Sequence, residues 1–116
     1  MVKISVYQDG GGRISGFRCA GHAGYANSGQ DIVCAAVSAL TVTAVNSVES
    51  LTQDKFSYEG DEEKGLMDFK VTAPVSDRAA LILKSMFLGL MMIEESYGPK
   101  FIQVDKGIAD LIRKEV

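Results

Sequence analysis

Residues 2–8 alternate between apolar and polar side chains, which is the period of a β-strand with one buried face. Residues 9–12 are Asp-Gly-Gly-Gly, and such conformationally permissive residues favour a tight turn. A second alternating segment spans about 13–22, with Cys19 on one face and His22 on the other. The start of the chain is therefore predicted to be a β-hairpin whose second strand ends at a histidine.

A helical period replaces the alternation after residue 31. Apolar residues recur three or four positions apart to about residue 51, namely Val33, Val37, Leu40, Ala44, Val48 and Leu51. Asp31 directly precedes this pattern and is predicted to be its N-cap, because a carboxylate accepts hydrogen bonds from the unpaired N–H groups of a first turn. Residues 23–30 are small, polar and glycine-containing, and therefore predict a loop.

The second half of the chain begins with the same order of elements and adds a strand and a short helix. The patterns predict strands over 55–60 and 65–73 joined by the acidic turn 61–64, a helix over about 77–97, a strand over 100–105 and a short helix over 107–114. Strand pairs separated by single helices indicate an α+β fold. We expect a single two-layer domain over residues 1–116, with two main helices on one sheet face and the order ββαββαβ plus a short C-terminal helix.

The second main helix has apolar residues on more than one stripe, with Met86, Phe87, Leu90 and Met91 close together. A helix in a two-layer domain normally buries one stripe and exposes the other. An additional apolar stripe would form an exposed patch, and such patches mark contact surfaces. The sequence therefore predicts a homodimer with part of this helix in the interface.

Composition and charge exclude several classes of function. The chain has 116 residues, 47% hydrophobic and 23% charged, as is usual for a globular protein. A formal net charge of −3 and the lack of any basic run argue against direct contact with nucleic acid. The N-terminus lacks the apolar segment of a signal peptide, and the apolar stretch 85–93 is too short to cross a bilayer. A cytoplasmic protein that does not bind membranes is expected.

The cysteine and histidine counts bear on metal binding and redox state. Two cysteines in a reducing cytosol are expected to be free thiols. A structural zinc ion needs four ligands, and two cysteines and one histidine cannot supply them. No metal and no cofactor is therefore predicted.

The candidate chemistry lies between residues 21 and 38. His22, the only histidine, ends a strand, and Cys34 lies in the first turn of a helix. The partial positive charge of a helix N-terminus stabilises a thiolate, which is the nucleophilic form of cysteine. A nearby imidazolium would lower the thiol pKa further and could protonate a leaving amine. Backbone N–H groups of the same first turn could hold an oxyanion, and the Ser38 hydroxyl, one turn along, could reach the sulfur.

Each of these residues also has a purely structural interpretation. A cysteine in an alanine-rich helix is commonly a small buried residue, and a histidine after a strand is commonly structural. Ser38, Gly24 and Gly29 could be ordinary helix and turn residues. Asp31 could cap the helix or orient His22, and one short side chain can hardly do both fully. Cys19, on a strand face shared with Phe17, is predicted to lie in the core.

The sequence GHAGYA at 21–26, followed by G-x-DIVCAAVSAL at 29–40, resembles the signature of the ribosomal-processing cysteine protease family, called Prp. The resemblance covers essentially the full chain. It implies that His22 and Cys34 form a catalytic dyad, with Gly21, Asp31 and Ser38 in support.

The same resemblance implies a substrate and an assembly. Such enzymes remove the N-terminal extension of a bacterial large-subunit ribosomal protein, L-twenty-seven, after a segment with paired phenylalanines, and they form homodimers. A mobile loop covers the active site, and here it would contain Gly24, Tyr25, Asn27, Ser28 and Gly29. Tyr25 could supply an aromatic wall for an apolar substrate side chain. The residues alone leave one alternative open, a non-enzymatic ribosome-associated assembly or binding factor.

Overall fold

The computed structural model describes residues 1–27 and 30–114, which form one five-stranded sheet and three helices. The strands are β1 (Val2–Gln8), β2 (Ile14–Ala20), β3 (Phe56–Asp61), β4 (Leu66–Val71) and β5 (Ile102–Val104), and the helices are α1 (Ile32–Leu51), α2 (Asp77–Tyr97) and α3 (Ile108–Lys114). The sheet order is β3-β4-β2-β1-β5, antiparallel except for the parallel pair of β1 and β5. The predicted α+β class and element order are confirmed.

The two faces of the sheet differ, because alternate residues of a strand point to opposite sides. In β1, Val2 and Ile4 are buried, whereas the residues that follow each of them are exposed. In β2, the buried ring of Phe17 lies 5.8 Å from that of Phe69 in β4 and 6.5 Å from that of Phe87 in α2. The core therefore lies between one sheet face and the helices, as the period-2 pattern of β1 predicted.

Helix α1 begins after Asp31 as predicted, but its buried stripe differs in part from the predicted one. The buried residues are Val33, Val37, Thr41, Ala44 and Val48. The Thr41 hydroxyl donates a hydrogen bond to the Val37 carbonyl (2.9 Å), which is why a polar side chain is tolerated there. Leu51, which the pattern assigned to the stripe, is exposed at the last turn, where the helix extends beyond the core.

The composition of α1 also bears on the membrane question. By length and composition alone, α1 is the one helix in the described part of the chain that could cross a bilayer, and it is longer than the stretch 85–93 considered above. Its buried stripe packs into the same core as the sheet, as the apolar face of a core helix does.

Helix α2 has one buried and one exposed apolar stripe, as its sequence predicted. Met86, Phe87 and Leu90 belong to the buried stripe and lie in the core. Apart from Tyr97 at its last position, the exposed large apolar residues of this helix are Leu81, Leu88 and Met92, which are seven and four positions apart and so share one face. The helix is apolar around much of its circumference, and only packing against the sheet determines which stripe is buried.

Candidate active site

A groove of about 580 Å³ opens between α1 and the β3–β4 hairpin. Four residues of the predicted site, Gly21, His22, Cys34 and Ser38, line it. The remaining lining is mostly apolar and comes from α1, from β2 and from the hairpin, including Cys19, Val37, Val42, Tyr58, Leu66 and Met67. The groove has an acidic end at Asp61 and Glu62, where the hairpin turns.

Gly21 determines where His22 lies. Strand β2 ends at Ala20, two residues before the predicted end, because Gly21 adopts a φ of +99°, a conformation that favours glycine. A Cβ at this position would also collide with the Met1 carbonyl oxygen. His22 consequently follows the strand and is exposed at the groove, outside the regular alternation of β2.

The His22 ring contacts the turn between β3 and β4. Its Nε2 atom lies 2.8 Å from the backbone carbonyl oxygen of Glu63. A second hydrogen bond joins the turn to the residue before His22, because the Gly21 N–H donates to the Lys64 carbonyl (3.2 Å). Sequence reasoning predicted this turn but missed its contact with His22, because a backbone carbonyl carries no signal in the residue type that presents it.

Cys34 is half-buried in the first turn of α1. Its Sγ accepts a hydrogen bond from the backbone N–H of Ala23 at 3.2 Å. Because Ala23 directly follows His22, this bond holds the sulfur next to the segment that carries the histidine. A backbone donor and a helix N-terminus both favour negative charge on sulfur, so the arrangement suits a nucleophilic thiolate.

Asp31 is the N-cap of α1. One carboxylate oxygen accepts from the N–H groups of Val33 and Cys34, both at 3.0 Å, and the other accepts from the Tyr25 N–H at 3.0 Å. Desolvation alone would raise the pKa of Asp31. The hydrogen bonds from the Cys34, Tyr25 and Ala26 backbones and from the Cys34 side chain outweigh it and lower that pKa.

The cap changes one expectation from the sequence. The first-turn N–H groups of Val33 and Cys34 were expected to be available for an oxyanion, but both donate to Asp31. The N–H of Ala35 donates to the Asp31 carbonyl at 3.0 Å. The same N–H groups cannot cap the helix and also bind an oxyanion at full strength. The structure therefore does not support an oxyanion-binding role for the N–H groups of Val33 and Cys34.

The two cysteines lie in different environments, although both line the groove. Cys19 is only 5% exposed on the core side of β2, as predicted. Burial, followed by the coulombic effect of the nearby Cys34, raises the pKa of the Cys19 thiol to about 11. Cys19 is therefore a thiol at neutral pH and is not placed to act as a nucleophile.

The predicted substrate loop is partly described. Ser28 and Gly29 lie outside the described residues. The Tyr25 ring packs edge-on against Tyr97 and Phe101, with centroid distances of 5.5 and 5.1 Å, and it is not among the residues that line the groove. Tyr25 thus anchors the loop to the end of α2.

The other loop residues are less constrained. Gly24 has a φ of +71°, and an added Cβ there would meet no atom within 4 Å. Asn27 is exposed and its carbonyl accepts from the Gln30 N–H at 2.9 Å. Ser38 is exposed one turn after Cys34, at the groove. A gating role for the loop and a supporting role for Ser38 remain predictions.

The chain is similar to known proteins in sequence. The family model described as cysteine protease Prp matches residues 1–103. A ribosomal processing cysteine protease Prp from Staphylococcus aureus is 31% identical over 97 residues, which cover 84% of this chain and 92% of the relative. The protein of the same name from Bacillus subtilis is 30% identical over 101 residues, with 84% and 90% covered.

Solved structures agree with the sequence comparison. The crystal structure of an essential ribosomal processing protease Prp from S. aureus, with a covalently linked product peptide, has a TM-score of 0.83 at 30% identity. The structure of that protease with a substrate peptide has a TM-score of 0.78 at 28% identity. Each alignment covers 90% of this chain and 98% of the other.

Proposed function

Because the chain belongs to the cysteine protease Prp family, we propose that it removes the N-terminal extension of the ribosomal protein L-twenty-seven with the dyad Cys34 and His22. The observation that carries this proposal is the bond from Ala23 to the Cys34 sulfur, which brings the cysteine to the segment of the only histidine. A non-enzymatic assembly factor is not supported, since the family is one of peptide hydrolases.

The chemistry follows the ordinary course of covalent catalysis by a thiol. His22 accepts the Cys34 proton, and the sulfur attacks the scissile carbonyl carbon. The C–N bond then breaks as His22 returns the proton to the leaving amine, which leaves a thioester on Cys34. A water molecule, deprotonated by His22, attacks the thioester carbonyl carbon. The C–S bond then breaks, the second product leaves as an acid, and His22 returns the proton to the Cys34 sulfur.

The groove suits an extended peptide. From Cys34 to Val42 its lining follows nine residues of α1, whose eight helical steps span about 12 Å. An extended chain rises about 3.3 Å per residue, so this wall accommodates roughly three to four substrate residues. The apolar lining, which includes Val37, Tyr58 and Met67, suits apolar or aromatic side chains such as paired phenylalanines. The acidic end suits a basic ribosomal protein.

The test is cleavage of the extended L-twenty-seven protein, followed by intact-mass spectrometry. The wild-type protein should release one N-terminal peptide and leave one truncated product. Cys34→Ala should bind the substrate but leave it intact, and Cys19→Ser should cut it at close to the wild-type rate. An uncut substrate with folded wild-type protein, or full activity of Cys34→Ala, would refute the proposal.

We also propose that the protein is a cytoplasmic homodimer that needs no metal or cofactor. Ribosomal proteins are made in the cytoplasm, where a processing enzyme meets them. The exposed apolar stripe of α2 supports the homodimer, because exposed apolar patches mark contact surfaces. Its residues Leu81, Leu88 and Met92 are 65%, 51% and 62% exposed on one face.

A further inference from the structure

We propose that the turn between β3 and β4 is the positioning device for His22, acting through the backbone carbonyl of Glu63. The inference rests on the proposed role of His22 as the proton carrier of the dyad, and it assigns the third member of the site. That member is a peptide group and not a carboxylate side chain.

The first step concerns the tautomer of His22. A carbonyl oxygen only accepts hydrogen bonds, so the ring nitrogen 2.8 Å from the Glu63 oxygen, Nε2, must carry the proton. A neutral imidazole carries one N–H, and Nδ1 is then the atom without a proton. Nδ1 is therefore the atom that takes the proton from Cys34 and later returns it to the leaving amine. The Nε2–H bond survives when the ring becomes an imidazolium.

The second step concerns the shape of the turn. Gly65 has a φ of +60°, and a Cβ there would collide with the Gly21 carbonyl oxygen and lie 3.1 Å from Cε1 of His22. The turn backbone is thus in direct contact with both the histidine and the glycine before it. The hydrogen bond from the Gly21 N–H to the Lys64 carbonyl joins the same two segments. Only a glycine at position 65 allows this close approach.

Asp31 is not the residue that orients His22. Asp31 was the candidate for orienting His22, but its carboxylate oxygens accept from the backbone of Val33, Cys34 and Tyr25. Within residues 1–27 and 30–114, the hydrogen bond of the imidazole is the one to Glu63. The carbonyl dipole also favours a positive ring, which stabilises the imidazolium that accompanies a thiolate.

The first experiment reads the tautomer directly. Because the chain has one histidine, uniform ¹⁵N labelling gives one set of imidazole signals in long-range ¹H–¹⁵N spectra. In folded Cys34→Ala, at a pH where the ring is neutral, we expect the Nε2–H tautomer, with the chemical shifts of a protonated Nε2 and an unprotonated Nδ1. The same spectra in urea give the tautomer distribution of the unfolded chain as the reference. A folded protein with the Nδ1–H tautomer, or with the tautomer distribution found in urea, would overturn the proposal.

The second experiment uses two glycines with matched backbone strain. Gly65→Ala introduces a side chain at a φ of +60° and against His22, whereas Gly12→Ala does so at +82° in the β1–β2 turn, with the nearest atom 4.0 Å away. Gly65→Ala should lower kcat about 10²-fold with KM little changed and shift the acidic limb of the pH–rate profile. Gly12→Ala has the backbone strain without the collision, so it should lose less thermal stability and keep the wild-type kcat and pH profile.

The outcomes separate this proposal from the proposed function. If wild-type protein does not cleave, the proposed function fails, while the NMR result still decides the geometry of His22. If wild-type protein cleaves and folded Gly65→Ala keeps the wild-type kcat and pH profile, the positioning role is wrong. Should Gly65→Ala not fold, replacing the amide between residues 63 and 64 by an ester weakens the Glu63 carbonyl as an acceptor without adding atoms. The same loss of kcat is then expected, and an unchanged pH profile would refute the proposal.

Discussion

At the scale of single residues, the two cysteines show that location in the fold determines the chemistry of one side-chain type. Cys19 faces the core from β2, and burial raises the pKa of its thiol to about 11. Cys34 begins α1, is half-buried, and receives a hydrogen bond from the Ala23 N–H. Only Cys34 combines access to the groove with donors that stabilise a thiolate.

This difference predicts selective alkylation. Iodoacetamide near neutral pH should label Cys34 quickly and leave Cys19 unlabelled, because alkylation requires the thiolate and an accessible sulfur. Peptide mass spectrometry after a time course measures both rates. Cys34→Ser should abolish the fast labelling, and both cysteines should react in urea. Equal and slow labelling of the two residues in folded protein would contradict the assignment.

At the scale of elements, the first turn of α1 combines a helix cap with the attachment of the loop. Asp31 accepts from two N–H groups of the helix and from the Tyr25 N–H in the loop. One aspartate therefore positions the element that presents Cys34 and the segment that follows His22. The capping role preferred in the sequence analysis agrees with these bonds, although its contribution to activity is still a prediction.

The cap predicts a pH-dependent loss of stability in Asp31→Ala. Loss of a capping side chain costs about 1 kcal/mol of unfolding free energy. The folded-state pKa of Asp31 lies below the ordinary value of 3.8, so its contribution is full above that value and is lost as pH falls through the lower folded pKa. The difference in Tm between wild type and Asp31→Ala should therefore be largest near neutral pH and shrink below about pH 4. A difference that grows on acidification would contradict this.

Asp31→Asn separates the cap from the charge. Asn caps a helix nearly as well as Asp, so this variant should keep most of the thermal stability and much of the cleavage rate, whereas Asp31→Ala should lose both. Melting temperatures and cleavage rates measured side by side give the answer. A stable Asp31→Asn protein whose cleavage falls by several orders of magnitude would show that the negative charge is itself required.

At the scale of the whole molecule, the sheet and the helices share one hydrophobic core, and α2 still has an exposed apolar stripe. Of the apolar residues that the sequence places close together on this helix, Met86 and Phe87 are part of the core. A dimer interface on α2 must therefore use the opposite stripe, which contains Leu88 and Met92.

This arrangement predicts which substitution dissociates the dimer. Sedimentation should give the mass of two chains at micromolar concentration, and Leu88→Glu should give one chain with little change in Tm, because Leu88 is 51% exposed. Leu51→Glu is the matched control, since Leu51 is 63% exposed at the end of the other main helix. A wild-type monomer at these concentrations, or dissociation by Leu51→Glu alone, would contradict the proposed interface.

The sequence by itself determined the elements of this fold and their order. Strand and helix periods are local properties, so the predicted bounds of α2 match those observed, and β1 and α1 agree closely. Capping by Asp31 was equally predictable, because the helix N–H groups that donate to it are at most three residues away along the chain. The motif around His22 and Cys34 identified the family for the same reason, since it lies in one short segment.

Only the tertiary structure decided which of several compatible contacts form. The apolar stripes of α2 are similar in composition, and packing against Phe17 selects the one that is buried. The N–H groups of Val33 and Cys34 could have donated to an oxyanion or to the N-cap, and in the structure both donate to the Asp31 carboxylate. His22 contacts a backbone carbonyl 41 positions away, and every residue type that could occupy that position has the same carbonyl. Residue type encodes side chains, whereas this contact depends on where the chain brings its backbone.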